Sequence, residues 1–94
     1  MFVEDGIEVF RKVLALNPDS PRCLRDLAEC LLLAGKFEES IGHASRALEL
    51  DPKNARAYDL RSEAYAKLHR TDEGERDAAS ARSLRRIREV AEEA

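Results

Sequence analysis

Apolar residues recur along this chain at the three-and-four spacing of amphipathic helices, not the alternation of half-buried strands. Leu24, Leu27, Ala28 and Leu31 make one stripe, and Ile41, Ala44, Ala47 and Leu48 make the next. An earlier stripe holds Phe2, Val3, Ile7, Phe10, Val13 and Leu14, and a later one holds Leu84, Ile87 and Ala91. Five helices are predicted, at about 2–16, 21–34, 37–50, 55–68 and 72–92. The punctuation agrees. Ser20 before Pro21 reads as an N-cap followed by Pro in the first turn, and Asn54 as the cap of the helix from Ala55. Gly35 closes an apolar-periodic run where a left-handed residue ends a helix. His69 stands at the matching site further on and is expected to take the same positive φ, which His tolerates better than most residues.

The stripes repeat. Pro18 and Pro52 stand 34 residues apart, within Leu16-Asn17-Pro18 and Leu50-Asp51-Pro52. The same offset relates Gly6, Ser40 and Gly74; Phe10, Ala44 and Ala78; Val13, Ala47 and Ala81; and Leu16, Leu50 and Leu84. It also relates Leu24 to Tyr58 and Leu31 to Tyr65. A helix–turn–helix period of this length marks a stacked repeat array.

From Pro21 to Asn54 the chain resembles the tetratricopeptide-repeat family at Leu24, Leu27, Ala28, Leu31, Gly35, Phe37, Ser40, Ala44, Ala47, Leu50 and Pro52. The family usually has larger aromatics at several of these sites; here the small–large rhythm is kept with reduced sizes. The resemblance covers nearly the whole chain. It implies an all-α fold, antiparallel helix pairs stacked as a right-handed α-solenoid. Residues 1–20 are then the second helix of a truncated repeat, 21–54 a complete repeat, and 55–94 a final repeat with an extended C-terminal capping helix.

The two ends of the array differ. The first helix lacks the helix that would precede it in a full unit, so part of its apolar face is expected to meet water. At about 25 cal/mol per Å², two or three exposed large side chains forfeit several kcal/mol. Trimming from a longer protein, cover by a second copy through Phe2, Val3, Ile7 and Phe10, or fraying would each account for this. At the other end, Ile7 and Ile41 become Glu75, and Leu14 and Leu48 become Arg82, a polar outer face of the kind that terminates solenoids. Leu84, Ile87 and Ala91 are expected to pack back on the last unit, and the string from Arg85 to Glu93 to be solvated helix surface, with carboxylates that oppose the macrodipole.

Composition narrows the function classes. With 19 acidic and 16 basic residues the formal net charge is -3, which supplies no electrostatic footprint for nucleic acid. No apolar run approaches the roughly 20 residues of a membrane span, and the first residues lack the basic and apolar regions of a secretory signal. Cys23 and Cys30 sit seven apart on one predicted helix, about 10 Å between Cα atoms and beyond disulfide reach. Both read as small buried side chains, and an unbridged pair fits a reducing, cytoplasmic setting.

Chemistry is scarce. His43 and His69 have no Cys or carboxylate at metal-ligand spacing, no nucleophile motif is present, and the four glycines are scattered on helices and turns. The expectation is a protein with no catalysis, no metal and no cofactor. Tyr58 and Tyr65 replace Leu24 and Leu31 at the repeat offset, so they are expected to pack in the core rather than form a base-stacking platform.

In the family, the first helices of successive units line a concave groove that holds an extended peptide or a partner helix. The resemblance assigns Arg22, Arg25, Asp26, Glu29 and Leu33, then Arg56, Asp59, Leu60, Glu63 and Lys67, to that surface. Some members clamp the C-terminal carboxylate of a heat-shock chaperone. Here Arg56 matches one of the basic residues such a clamp uses, but Leu60 stands where the other belongs and Asp26 where an Asn belongs. A mixed-charge peptide or helix fits better. Three functions remain open at this stage: an adaptor using the groove, an assembly module (a homodimer through the first helix), and a regulatory segment of a larger protein.

Overall fold

The computed structural model describes residues 3–93, and among them the chain forms five helices: α1 (Val3–Leu16), α2 (Pro21–Leu33), α3 (Phe37–Leu50), α4 (Ala55–Lys67) and α5 (Thr71–Glu93). The side chains of residues 3–5 are not among those described. The sequence signals work as expected. Ser20 Oγ accepts from the Cys23 N–H at 3.3 Å, with Pro21 in the first turn, and Asn54 Oδ1 accepts from the Ala57 N–H at 3.1 Å. Gly35 has φ 79° and His69 has φ 60°. After each, the next N–H reaches back to close the helix end: Lys36 N–H to the Leu31 carbonyl at 2.8 Å, and Arg70 N–H to the Tyr65 carbonyl at 2.9 Å.

Each helix packs on the next, and α2 also touches α4. The core is three apolar clusters built largely from Leu and Ala. Ile7, Leu27 and Leu31 join α1 to α2; Leu24, Ala47, Leu48 and Ala57 join α2, α3 and α4; Ala28, Leu32, Ile41, Ala44, Leu60 and Ala64 complete it. The small residues let the helix axes approach closely: Ala28, Ala44, Ala47, Ala57, Ala64 and Ala81 are fully buried.

Two expectations are corrected. Ile7 was grouped with Phe2, Val3 and Phe10 as a face that a second copy could cover, yet it is 4% exposed and packs with Leu27 and Leu31. Two apolar stripes run along α1 at helical spacing; Ile7, Phe10 and Leu14 face α2, and Val9, Val13 and Leu16 are left outside. Phe10 is half-buried; Phe2 lies outside the described residues, as does the side chain of Val3. At the far end, Leu84 is half-buried as expected, but Ile87 and Ala91 do not pack back on the last unit. α5 runs straight past the last unit, and every residue from Arg85 to Glu93 is exposed.

Candidate functional site

The straight overhang of α5 creates a notch. Its C-terminal turns pass the start of α4 and the connection before it, enclosing about 610 Å³ between Arg25 on α2, Asp51 to Arg56, and the Leu84, Arg85, Ile87, Arg88 and Ala91 side of α5. Leu84, Ile87, Ala91 and Ala55 give it an apolar wall. Arg25, Lys53, Arg56, Arg85 and Arg88 bring five cations to it against the single carboxylate of Asp51.

Each of the four guanidiniums is braced by an acid. Arg56 donates to Glu29 at 2.5 Å across the α2–α4 contact, Arg25 to Asp26 at 3.2 Å, and Arg88 to Glu92 at 3.2 Å. Arg85 donates to Asp59, and that bond holds its guanidinium charged, raising its pKa above the ordinary value. The bracing acids offset much of the local field. The notch therefore discriminates by the fixed positions of its donors more than by bulk potential, since each guanidinium carries five N–H groups and spends only one or two on its brace. These pairs are solvent-exposed and individually contribute little to stability.

Of the ten groove residues predicted from the sequence, the structure brings Arg25 and Arg56 into the notch and sets Glu29 and Asp59 behind it as braces. Asp26 braces Arg25. Arg22, Leu33, Glu63 and Lys67 are exposed and lie elsewhere on α2 and α4. Leu60 is corrected: it is 2% exposed, packed in the core with Ala28, Ile41 and Ala64, because α4 needs a third apolar residue between Ala57 and Ala64 to fill its stripe. Its repeat partner Asp26 is polar, so projection by offset put Leu60 on the wrong face.

Sequence reasoning missed the α5 half of the notch. The apolar spacing of Leu84, Ile87 and Ala91 was visible, but a stripe at helical spacing does not say whether it faces the body or open water. It also missed an internal ion pair. Arg61 grips Asp77 with two hydrogen bonds, Nε and Nη2 each at 2.7 Å, while its Nη1 donates to Ser45 Oγ at 3.1 Å. Asp77 is buried, and the hydrogen bonds to it raise the Arg61 pKa despite desolvation.

Reactive chemistry is muted. Cys23 and Cys30 are free and half-buried rather than buried; burial, then Glu29 and Asp26, push the Cys30 thiol up and away from thiolate. Tyr58 and Tyr65 pack against the core, with Arg61 and Arg70 stacked over their rings at 5.6 and 4.8 Å. Among the described residues no cluster of three or more His, Cys, Asp or Glu has metal-binding geometry, and no helix is long and apolar enough to cross a membrane.

The family described as Tetratricopeptide repeat matches residues 3–64. The chain belongs to that family, whose helical solenoids are generally protein-interaction scaffolds. Solved structures agree on the fold. The second TPR of Spaghetti (RPAP3), bound to the HSP90 peptide SRMEEVD, is 23% identical over 87% of this chain and 76% of its own, with a TM-score of 0.85. MamA of AMB-1 is 23% identical over 89% of this chain and 50% of its own, with a TM-score of 0.84. MamA of MSR-1 is 21% identical over 90% and 49%, with a TM-score of 0.85. This chain thus spans about half the length of either MamA chain. No curated protein matches the sequence.

Proposed function

We propose that this protein is a non-catalytic adaptor of a reducing, cytoplasmic setting. Its notch takes an acidic segment of a partner protein that also carries a large apolar side chain. The units at 21–54 and 55–94, entered through the half-unit 1–20, serve as the rigid frame. The observation that carries the reading is the pairing of an apolar wall, Leu84, Ile87 and Ala91, with braced guanidiniums at Arg25, Arg56, Arg85 and Arg88 and the ammonium of Lys53. Bracing supports recognition because guanidiniums already held in place lose less entropy when a ligand carboxylate arrives. The SRMEEVD peptide on the RPAP3 repeat is likewise acidic, with apolar Met and Val beside its acids.

The test is fluorescence anisotropy with a labelled Glu-Glu-Leu-Glu-Glu peptide and its Lys-Lys-Leu-Lys-Lys counterpart. The acidic peptide is expected to bind and the basic one not. Lys53→Glu with Arg56→Glu should weaken binding by at least about tenfold while leaving helicity intact, since each removes a cation and adds a repelling charge. Equal binding of both peptides, or indifference to the double reversal, would overturn the proposal.

A further inference from the structure

The exposed end of α5 sorts its charges by sign. Arg85, Arg86 and Arg88 come first, and Glu89, Glu92 and Glu93 follow. Within a lone helix this order is the poor one. Carboxylates at the C-terminal end oppose the macrodipole, and Arg placed before Glu is the weaker orientation of an i,i+4 pair. Among the described residues the side chains of Arg86, Glu89 and Glu93 make no hydrogen bond or ion pair. Beside them Ile87 and Val90, three residues apart and so on one face, are 66% and 59% exposed.

One arrangement satisfies all of these features together. A two-fold axis placed between Arg88 and Glu89 sets a second copy of the helix antiparallel to the first. Ile87 then falls opposite Val90 of the other copy, and the basic turn of each helix lies over the acidic turn of the other. A parallel pairing sets Arg against Arg and Glu against Glu. We propose that α5 is a self-recognition element, pairing antiparallel with α5 of a second copy in an isologous contact where every favourable pair occurs twice. About ten residues from each copy make a contact below roughly 1,000 Å², which belongs to the weak, transient class. The contact shares Ile87 and Arg88 with the notch wall, but sedimentation without peptide reads it alone, so its failure is distinguishable from failure of the proposed peptide binding.

Sedimentation equilibrium on the full chain from about 20 μM to 1 mM tests it, a range suited to weak association. The apparent mass should rise toward twice that of the monomer. Arg86→Glu with Arg88→Glu leaves Arg85 as the one cation of the overhang, and Glu89→Lys with Glu93→Lys leaves Glu92 as its one acid. Each variant alone should associate at least about tenfold more weakly, and an equimolar mixture of the two should recover the dimer. Circular dichroism confirms that both remain helical. A parent that stays monomeric throughout, variants that dimerise as the parent does, or a mixture that fails to pair would each overturn the inference.

Discussion

The hydroxyl of Ser40 on α3 donates to the backbone carbonyl of Ala28 on α2 at 2.7 Å, and 34 residues later the same two sites are joined the other way round. There Ser62 on α4 donates to the carbonyl of Gly74 on α5, also at 2.7 Å. The hydroxyl has changed helices, but the contact has survived. At Gly74 a Cβ would come within 3.1 Å of the Ser62 carbonyl, so the residue with no side chain sits at the closest approach of the last pair. At Ser40 a small side chain is tolerated because it supplies the bond.

Replacing Ser40 by Ala removes one buried hydrogen bond without opening a large cavity. The expected loss is about 1 kcal/mol, the net worth of such a bond. Urea denaturation should show a lower midpoint with an unchanged slope. Stability equal to the parent would mean that the hydroxyl is a passenger and that size alone selects Ser at this position.

Arg61 and Asp77 lock the last three helices together, through Ser45 on α3, Arg61 on α4 and Asp77 on α5. Leu27 occupies the position of Arg61 one unit earlier, so an apolar residue is acceptable there in the frame. Asp77→Ala strands a half-buried guanidinium and should cost about 3 kcal/mol, the lower end for breaking a buried pair. Changing both residues to Leu removes both desolvation costs, and that double variant should be more stable than either single one. A double variant no better than Asp77→Ala would show that the pair is needed for more than its own charges.

His69 holds φ 60° without being glycine, where Gly35 fills the equivalent turn at φ 79°. A side chain in this region costs roughly 1 kcal/mol. His69→Gly should therefore raise stability by about that amount, read as an upward shift of several degrees in Tm for a domain of this size. His69 is exposed, so no lost packing confuses the measurement.

The frame was legible because its determinants are local and periodic. Ser20, Asn54, Gly35 and Pro52 mark helix ends by chemistry that acts within a few residues, and the 34-residue offset aligns Ala44 with Ala78 and Leu50 with Leu84 without any three-dimensional knowledge. The site was only half legible, because the missing parts depend on where a helix goes after its periodicity stops being informative. Leu60 was misplaced by carrying over the polarity of Asp26, although the 57, 60, 64 spacing on α4 itself points inward. Ile7 was grouped with Phe2, Val3 and Phe10 because periodicity alone does not say which part of the apolar face of α1 meets water; the exposed side is that of Val9, Val13 and Leu16. Arg61 and Asp77 lie 16 residues apart with no motif between them, and a buried ion pair leaves no trace in hydrophobic patterning.

The overhang of α5 offers the most direct separation of function from folding. Residues 86–93 are exposed throughout, so they remove little apolar surface from water, and their ion pairs are solvent-screened. A chain ended after Arg85 keeps the Asp59 pair, Leu84, and the whole core, and should unfold within about 1 kcal/mol of the parent. It loses Ile87, Arg88 and Ala91 from the notch wall, so binding of the acidic peptide should fall sharply, and the paired face of α5 disappears as well. Calorimetry and peptide anisotropy on the same preparation check both halves. A chain that keeps its stability but loses binding places the function on the overhang. A chain that loses several kcal/mol would make the overhang a structural cap instead, holding down the end of α4 in a way its exposure does not suggest.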